Sequence, residues 1–393
     1  MNAMYKQEDH TNSTCPGKEN TFLPSGAVSS THVHDMLRSG VRPMTPPLLR
    51  GNIERYVGMV HVPVGLAGPV LIHGQHARGD FYVPLATTEG ALVASYSRGM
   101  KAIRRSGGCT ARCLGGHVQR SPVFRLNTLE EAIRFARNVE RDIAIFRQLT
   151  HEQSRFARLE RLRTWVEGNT VTLLLQFITE DAAGQNMVTF CAEHICRYIV
   201  RRISPKPIRW YLESNFSGDK KATAFSLVNG RGREVQVEAV LPEFVVRDIL
   251  KSTPHRMARY WQTSVLSSVR SGAIGTVGHV ANALTALFIA CGQDAACVAE
   301  SSIGILRLEA TPSGELYAAL SLPSLIVGTV GGGTALLTQR ECLKIIDCDG
   351  AGRADKLAEI AAATALAGEL SIAAAMAEGH FAQAHQRLGR KSK

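Results

Sequence analysis

Two apolar stretches rich in small residues, 280–298 and 361–377, most constrain how this chain folds. Each invites a membrane assignment by its hydropathy, yet Asp294 interrupts the first and Glu369 the second. An ionisable group in lipid is costly, whereas in a large protein core it persists when it is paired. Both stretches therefore read as buried helices. The second lies within an Ala-rich run over 355–387 with helical character throughout. Asp294, inside its apolar surroundings, is expected to be buried and to have a cationic partner.

Residues 1–25 read as a polar, disordered lead-in without the apolar segment of a signal peptide. A Pro-rich link over 42–47 leads into the folded body. Short apolar runs from Val57 to Val70, broken by Pro63, Gly65, Gly68 and Pro69, give a strand-and-turn pattern. Leu92, Val93, Tyr96, Met100 and Ile103 predict a helix over 88–105, with Glu89 in its first turn and Gly107-Gly108 at its end. Around residue 121 the texture changes. Thr128 and Glu131 form a capping-box pattern that opens a helix to about Leu149. A basic stretch follows (Arg155, Arg158, Arg161, Arg163), then an apolar strand from Val171 to Ile178. After the loop Asp181–Asn186 come a helix to Arg202 and a strand near 208–212. This compact α/β module is small enough to be an insert in a larger body. Beyond it Val235, Val237 and Ala239 alternate as a strand, and 303–308 with 316–322 predict a hairpin turned at Thr311-Pro312-Ser313-Gly314. The class is α+β, with a large domain over 26–120 and 212–393 and a small one over 121–211.

Four short stretches far apart in the chain carry chemistry: Thr87-Thr88-Glu89-Gly90, Asp219-Lys220-Lys221, Gly292-Gln293-Asp294 and His385. Together they supply a carboxyl acid, an ammonium, a second carboxylate to hold it and an imidazole. Reducing a thioester to an alcohol needs that set: a cation for the carbonyl oxygen, a proton for the leaving thiolate and a second acid for the alcohol. Each piece alone also has a plainer reading. Glu89 suits a helix dipole, adjacent lysines suit a solvated surface, and Asp294 suits a structural ion pair. The loop Asp181–Asn186 presents N–H groups and a positive helix end to a phosphate, although it is not G-x-G-x-x-G. Consecutive glycines in Gly328–Thr334 belong where backbone turns sharply or approaches a ligand. His380 and His385, five apart, miss the spacing of a helical metal pair, and His32/His34 and His73/His76 lack Cys or carboxylate company. No metal site is expected.

Lys and Arg number 45 against 34 for Asp and Glu, and the resulting +11 suits a polyanionic partner. Without a basic tail or a nucleic-acid motif, that partner is read as a phosphate-rich cofactor or a CoA ester, with no nucleic acid and no membrane. Nine cysteines, odd in number and none as C-x-x-C, point to reduced thiols in a cytoplasm.

The motifs together resemble the soluble catalytic part of the hydroxymethylglutaryl-CoA reductase family over roughly residues 45–390. They are VPVGLAGP at 62–69, TTEG at 87–90, SRFARL at 154–159, DAAGQNM at 181–187, GDKKA at 218–222, CGQDAA at 291–296 and GTVGGGT at 328–334. The resemblance implies a large domain around a long central helix, an inserted small ferredoxin-like domain that binds the dinucleotide, and a homodimer with active sites at the subunit interface. It implies four-electron reduction of HMG-CoA to mevalonate and CoA. Lys220 would then stabilise the oxyanion, Glu89 supply the alcohol proton, Asp294 hold Lys220 and raise the pKa of Glu89, and His385 protonate the CoA thiolate. By the same resemblance Arg120, Asp219, Lys221, His279 and Asn282 fall at the hydroxymethylglutaryl group. Ser154, Arg155, Asp181, Gly184, Asn186 and Gly331 fall at the dinucleotide, where the Ser-Arg pair implies NADPH. Gln262 and Glu213 depart from the biosynthetic pattern, which commonly has a lysine and a serine there. Lys391 stands in place of the phosphorylatable serine of animal enzymes, and no membrane-anchor region precedes the motifs, which suggests a soluble, prokaryote-like enzyme. NAD-dependent mevalonate oxidation and reduction of a related acyl-CoA remain the alternatives.

Overall fold

The computed structural model describes residues 49–379. The lead-in, the Pro-rich link, His32, His34, His380, His385 and Lys391 lie outside the described residues. The fold opens with an antiparallel hairpin of β1 (Val64–His73) and β2 (Arg78–Ala86). Its turn is held from across the molecule, because the N–H groups of Gln75, His76 and Ala77 donate to the Glu359 carboxylate at 2.7–3.1 Å. Helix α1 (Leu92–Arg105) starts later than its apolar spacing predicts. Ala91 adopts a left-handed φ of 71°, and the Glu89 N–H donates to Thr87 Oγ1 at 3.0 Å, so Glu89 lies in the preceding loop and not in the first helical turn.

Next come β3 (Thr110–Arg120), β4 (Val123–Arg125), α2 (Leu129–Arg141) and α3 (Ile143–Gln153). The single helix expected from Thr128 is thus two, divided at Asp142, whose N–H closes a tight turn on the Val139 carbonyl at 3.2 Å. Thr128 caps the first, accepting the Glu131 N–H at 3.2 Å, while the Glu131 carboxylate reaches back to Asn127 at 3.0 Å. The basic stretch that carried no predicted element is β5 (Arg158–Glu167), paired with β6 (Thr170–Ile178). A register shift between Leu159 and Arg161 breaks its period of two, so the alternation is lost from the sequence. Helix α4 (Gln185–Arg202) and β7 (Arg209–Tyr211) follow.

Apart from helical segments of five residues or fewer, the remaining elements are α5 (Ala224–Asn229), β8 (Gly232–Leu241), α6 (Pro254–Ser271), α7 (Val280–Ala290), β9 (Ile305–Ala310), β10 (Leu316–Leu325), α8 (Leu337–Ile345) and α9 (Ala354–Ala377). An eight-stranded antiparallel sheet runs β7-β4-β6-β3-β8-β10-β9, with β5 on the free side of β6. Val235, Val237 and Ala239 of β8 point into the core as their alternation predicts. The architecture is mixed helix and antiparallel sheet, as expected at the level of class. One apolar core gathers around α9 and a second is built within 118–203.

Among the described residues α9 alone is long and apolar enough to cross a membrane, and 83% of its most apolar window is covered by protein. A helix apolar on every side must be surrounded, and small residues let its neighbours come close. A Cβ on Gly99 of α1 would stand 1.8 Å from the Ala367 carbonyl oxygen. Because that obstacle is helix backbone, Gly99→Ala is expected to cost about 3 kcal/mol, read as a lowered urea midpoint. An unchanged midpoint would mean that α1 and α9 do not approach so closely.

Candidate active site

Lys220 comes from a tight loop. Asn215, Gly218 and Lys220 all take positive φ, and the Gly218 and Lys221 N–H groups close turns on Asn215 and Gly218. The Lys220 N–H donates to Glu300 Oε1 at 3.2 Å, and its Nζ meets Asp294 Oδ2 at 3.1 Å. That hydrogen bond raises the ammonium above the usual lysine range, with partial burial opposing it. Asp294 is not buried as its apolar neighbours suggested: its side chain is 38% exposed. Helix α7 ends at Ala290 and left-handed Gly292 turns the chain outward, leaving Asp294 to accept the Ala296 N–H at the head of a short 3₁₀ turn.

The Lys220–Asp294 pair opens onto a cavity of about 610 Å³ lined also by Gly184, Asn186, Gly292 and Gly331. Two glycine segments meet there. A Cβ on Gly292 would stand 2.3 Å from the Gly333 carbonyl oxygen, so only glycine permits the contact. Gln293 fastens the same junction, its Oε1 accepting the Gly328 N–H at 2.8 Å. Helix α4 begins after left-handed Gly184 with neither a side-chain cap nor an acid in its first turn.

Other residues expected at the dinucleotide have different partners. The Asp181 carboxylate accepts the Gly352 and Ala354 N–H groups at 2.7 and 3.1 Å, holding the start of α9. Ser154 Oγ accepts the Phe156 and Ala157 N–H groups at 3.2 Å, and exposed Arg155 lies over the Phe156 ring. Arg120 is buried, donating to Thr189 Oγ1 at 2.8 Å and to the Gln185 carbonyl at 2.9 Å, with Asp219 at 3.5 Å. Exposed Lys221 donates to the Asp219 carbonyl. Glu213 accepts the Ser121 and Asn215 N–H groups at 3.2 and 2.8 Å, and Gln262 is exposed on α6.

Glu89 lines a different cavity, of about 570 Å³, with Arg98, His279, Asn282 and Met376. Asn282 Nδ2 donates to Glu89 Oε2 at 3.3 Å. His279 stacks on Tyr96, and its carbonyl accepts the Tyr96 hydroxyl at 2.8 Å. Glu369 of α9 accepts the N–H groups of Gly278 and His279 ahead of α7. Asn282 lies in the first turn of α7 and Asp294 lies beyond its last residue, Ala290, so the two stand toward opposite ends of that helix. Within this chain Glu89 and the Lys220–Asp294 pair line different cavities, and His385 lies outside the described residues. Sequence reasoning missed Arg98, Arg231 and Glu300, and held Gln185 only as part of the 181–187 motif. Only Glu369 left a trace, as a charge inside an apolar run. Among the described residues no cluster of His, Cys, Asp or Glu is fit to hold a metal ion.

A lysine held by an acid beside a glycine-lined cleft is an arrangement that can meet a carbonyl oxygen with a cation. A family model described as hydroxymethylglutaryl-coenzyme A reductase matches residues 30–390. The 3-hydroxy-3-methylglutaryl-coenzyme A reductase of Aeropyrum pernix is 46% identical over 345 residues, covering 86% of this chain and 82% of that one. Its counterpart in Pyrococcus horikoshii is 40% identical over 350 residues, covering 87% and 84%. In structure, the class II reductase from Streptococcus pneumoniae, solved bound to NADPH in open conformations, superposes with a TM-score of 0.71 at 19% identity, covering 89% of this chain and 94% of that one. The chain belongs to the hydroxymethylglutaryl-coenzyme A reductase family, whose members are oxidoreductases.

Proposed function

We propose that this protein reduces 3-hydroxy-3-methylglutaryl-CoA to mevalonate and CoA with NADPH, as a biosynthetic reductase. The observation that carries the reading is the Lys220–Asp294 pair at 3.1 Å, opening onto the cavity lined by the Gly184–Asn186 loop and Gly331. That cavity suits a dinucleotide. A Cβ on Gly331 or Gly332 would meet nothing within 4 Å, and the first turn of α4 has N–H donors without a side-chain cap. NADPH, when bound, supplies the hydride. Gly184, Asn186 and Gly331 would hold it, with Asp181 setting the loop, and Ser154 and Arg155 would meet the 2′-phosphate.

Lys220 holds the developing oxyanion, and Asp294 keeps Lys220 charged and aimed. Arg120, Asp219 and Lys221 orient the acyl group, as do His279 and Asn282 from the second cavity. Glu89 supplies the alcohol proton and His385 the thiol proton. Because Glu89 and Lys220 line separate cavities, the reading takes a homodimer in which each site draws on both subunits. The same reading takes 121–211 as an inserted ferredoxin-like dinucleotide-binding domain. The antiparallel order β7-β4-β6-β5 over the sequence βααββαβ, with α2 and α3 together filling the first crossover, supports it. A cytoplasmic location accords with it. Both Glu213 carboxylate oxygens accept backbone N–H groups, those of Ser121 and Asn215, so this side chain is held by the fold.

The test is NADPH and NADH consumption with HMG-CoA, with thiol release counted in parallel. Two NADPH oxidised per thiol, with little NADH activity, is the expected result. Efficient NADH use would move the assignment to mevalonate oxidation, and no turnover with either cofactor would remove it. Mixing inactive Glu89→Ala and Lys220→Ala variants is expected to restore about a quarter of the wild-type activity, since half of randomly paired dimers would carry one intact site of two. No restoration would place both groups in one subunit.

A further inference from the structure

Among the described residues Arg231 is the largest fully buried side chain. It stands where the chain enters β8, and its guanidinium serves acceptors from separate segments. One Nη donates to Asp219 Oδ1 at 2.6 Å and to Gln185 Oε1 at 2.7 Å, the other to the Gln119 carbonyl at 3.2 Å, and Nε to Glu300 Oε1 at 3.3 Å. Glu300 is buried as completely, and the same Oε1 also accepts the Lys220 N–H. Its Oε2 has no hydrogen-bond partner among the described residues. Lys220 is therefore gripped on both sides. Asp219 before it is tied to Arg231, and its own N–H is tied to the carboxylate that balances Arg231. The loop needs such a grip, because Lys220 sits at φ 55°, a conformation that side chains other than glycine adopt only when their surroundings impose it. Gln185, the first residue of α4, brings the dinucleotide-facing helix into the same hub.

We propose that Arg231, with Glu300 as its counter-charge, is a positioning residue that fixes the Lys220 loop against the start of α4. The inference rests on the reductase reading above. A purely structural buried pair behaves differently, since such pairs are often replaced by apolar residues without loss of stability. Lysine cannot take over either, because one ammonium lacks the planar fork that meets Asp219, Gln185 and Glu300 together.

The experiment compares wild type, Arg231→Lys, Glu300→Gln and the double variant Arg231→Met/Glu300→Leu. It reads kcat and KM with HMG-CoA and NADPH, NADPH affinity by nucleotide fluorescence, and Tm. Arg231→Lys is expected to lower kcat by about 10²-fold, with KM for HMG-CoA within about threefold of wild type and NADPH affinity weakened. Glu300→Gln is expected to move kcat the same way while preserving shape. The apolar double variant should recover the wild-type Tm and leave kcat low. Recovery of kcat together with Tm would reduce the pair to a structural element and overturn the proposal, as would wild-type kcat in Arg231→Lys. An inactive wild-type enzyme would instead remove the reductase reading, and the proposal with it, a failure visible before any variant is compared.

Discussion

Lys220→Ala is expected to lower kcat by about 10²–10³-fold, the usual effect of removing one preorganised donor to an oxyanion. Stability should hardly move. The side chains of Lys220 and Asp294 are 46% and 38% exposed, so water replaces the lost partner and the ion pair contributes about 0–1 kcal/mol to folding. The urea midpoint is thus expected to stay near wild type while turnover collapses. A parallel loss of both would show that Lys220 serves the fold and not the chemistry. Asp294→Asn adds a test of sign. The hydrogen bond from Asp294 is the largest cause of the raised Lys220 pKa, so removing the carboxylate lowers that pKa. Activity that depends on the ammonium should then be lost at a lower pH than in wild type, moving the alkaline limb of the kcat/KM profile downward. A limb that stays in place would separate Asp294 from the titration of Lys220.

How legible these features were depends on the distance over which their physics acts. The face of β8 could be read because Val235, Val237 and Ala239 meet the core through their own alternation. Strand β5 could not, because its register shift and outward arginines erase the period that marks a half-buried strand. For Glu89 the apolar spacing of the helix was correct, but the left-handed turn at Ala91 ends the helical segment short of it. The exposure of Asp294 was missed for a similar reason. Hydropathy averages over a window, whereas one glycine turn at Gly292 decides on which side of the surface the next residues fall. Arg231 and Glu300 leave no local pattern, for neither residue's neighbours in sequence reveal that the two side chains share the core.

Glu369→Ala is expected to be the most destabilising change at the second cavity, at about 3–5 kcal/mol. The carboxylate is fully enclosed and accepts the N–H groups of Gly278 and His279 ahead of α7 and of Val280 at its start, orphan donors of the helix N-terminus. Alanine would leave them buried without acceptors and release the segment that presents His279 and Asn282 beside Glu89. A rise in KM for HMG-CoA should therefore accompany the lower urea midpoint. Glu369→Gln keeps an acceptor and should lose less. The pair of variants also fixes a pH signature. Burial pushes the Glu369 carboxyl up to about 7 from its ordinary 4.5, with the three N–H donors opposing the shift. The folded state thus holds this proton more tightly than the unfolded chain. The contribution of that proton to stability is complete below about 4.5 and is lost as pH rises through about 7. Glutamine does not titrate there. The urea midpoint of the wild type, taken relative to Glu369→Gln, should fall between those pH values and level off above them. A constant difference across the window would mean that the carboxylate is already ionised at acid pH, stabilised fully by the α7 N-terminus, and that the helix end outweighs burial at this site.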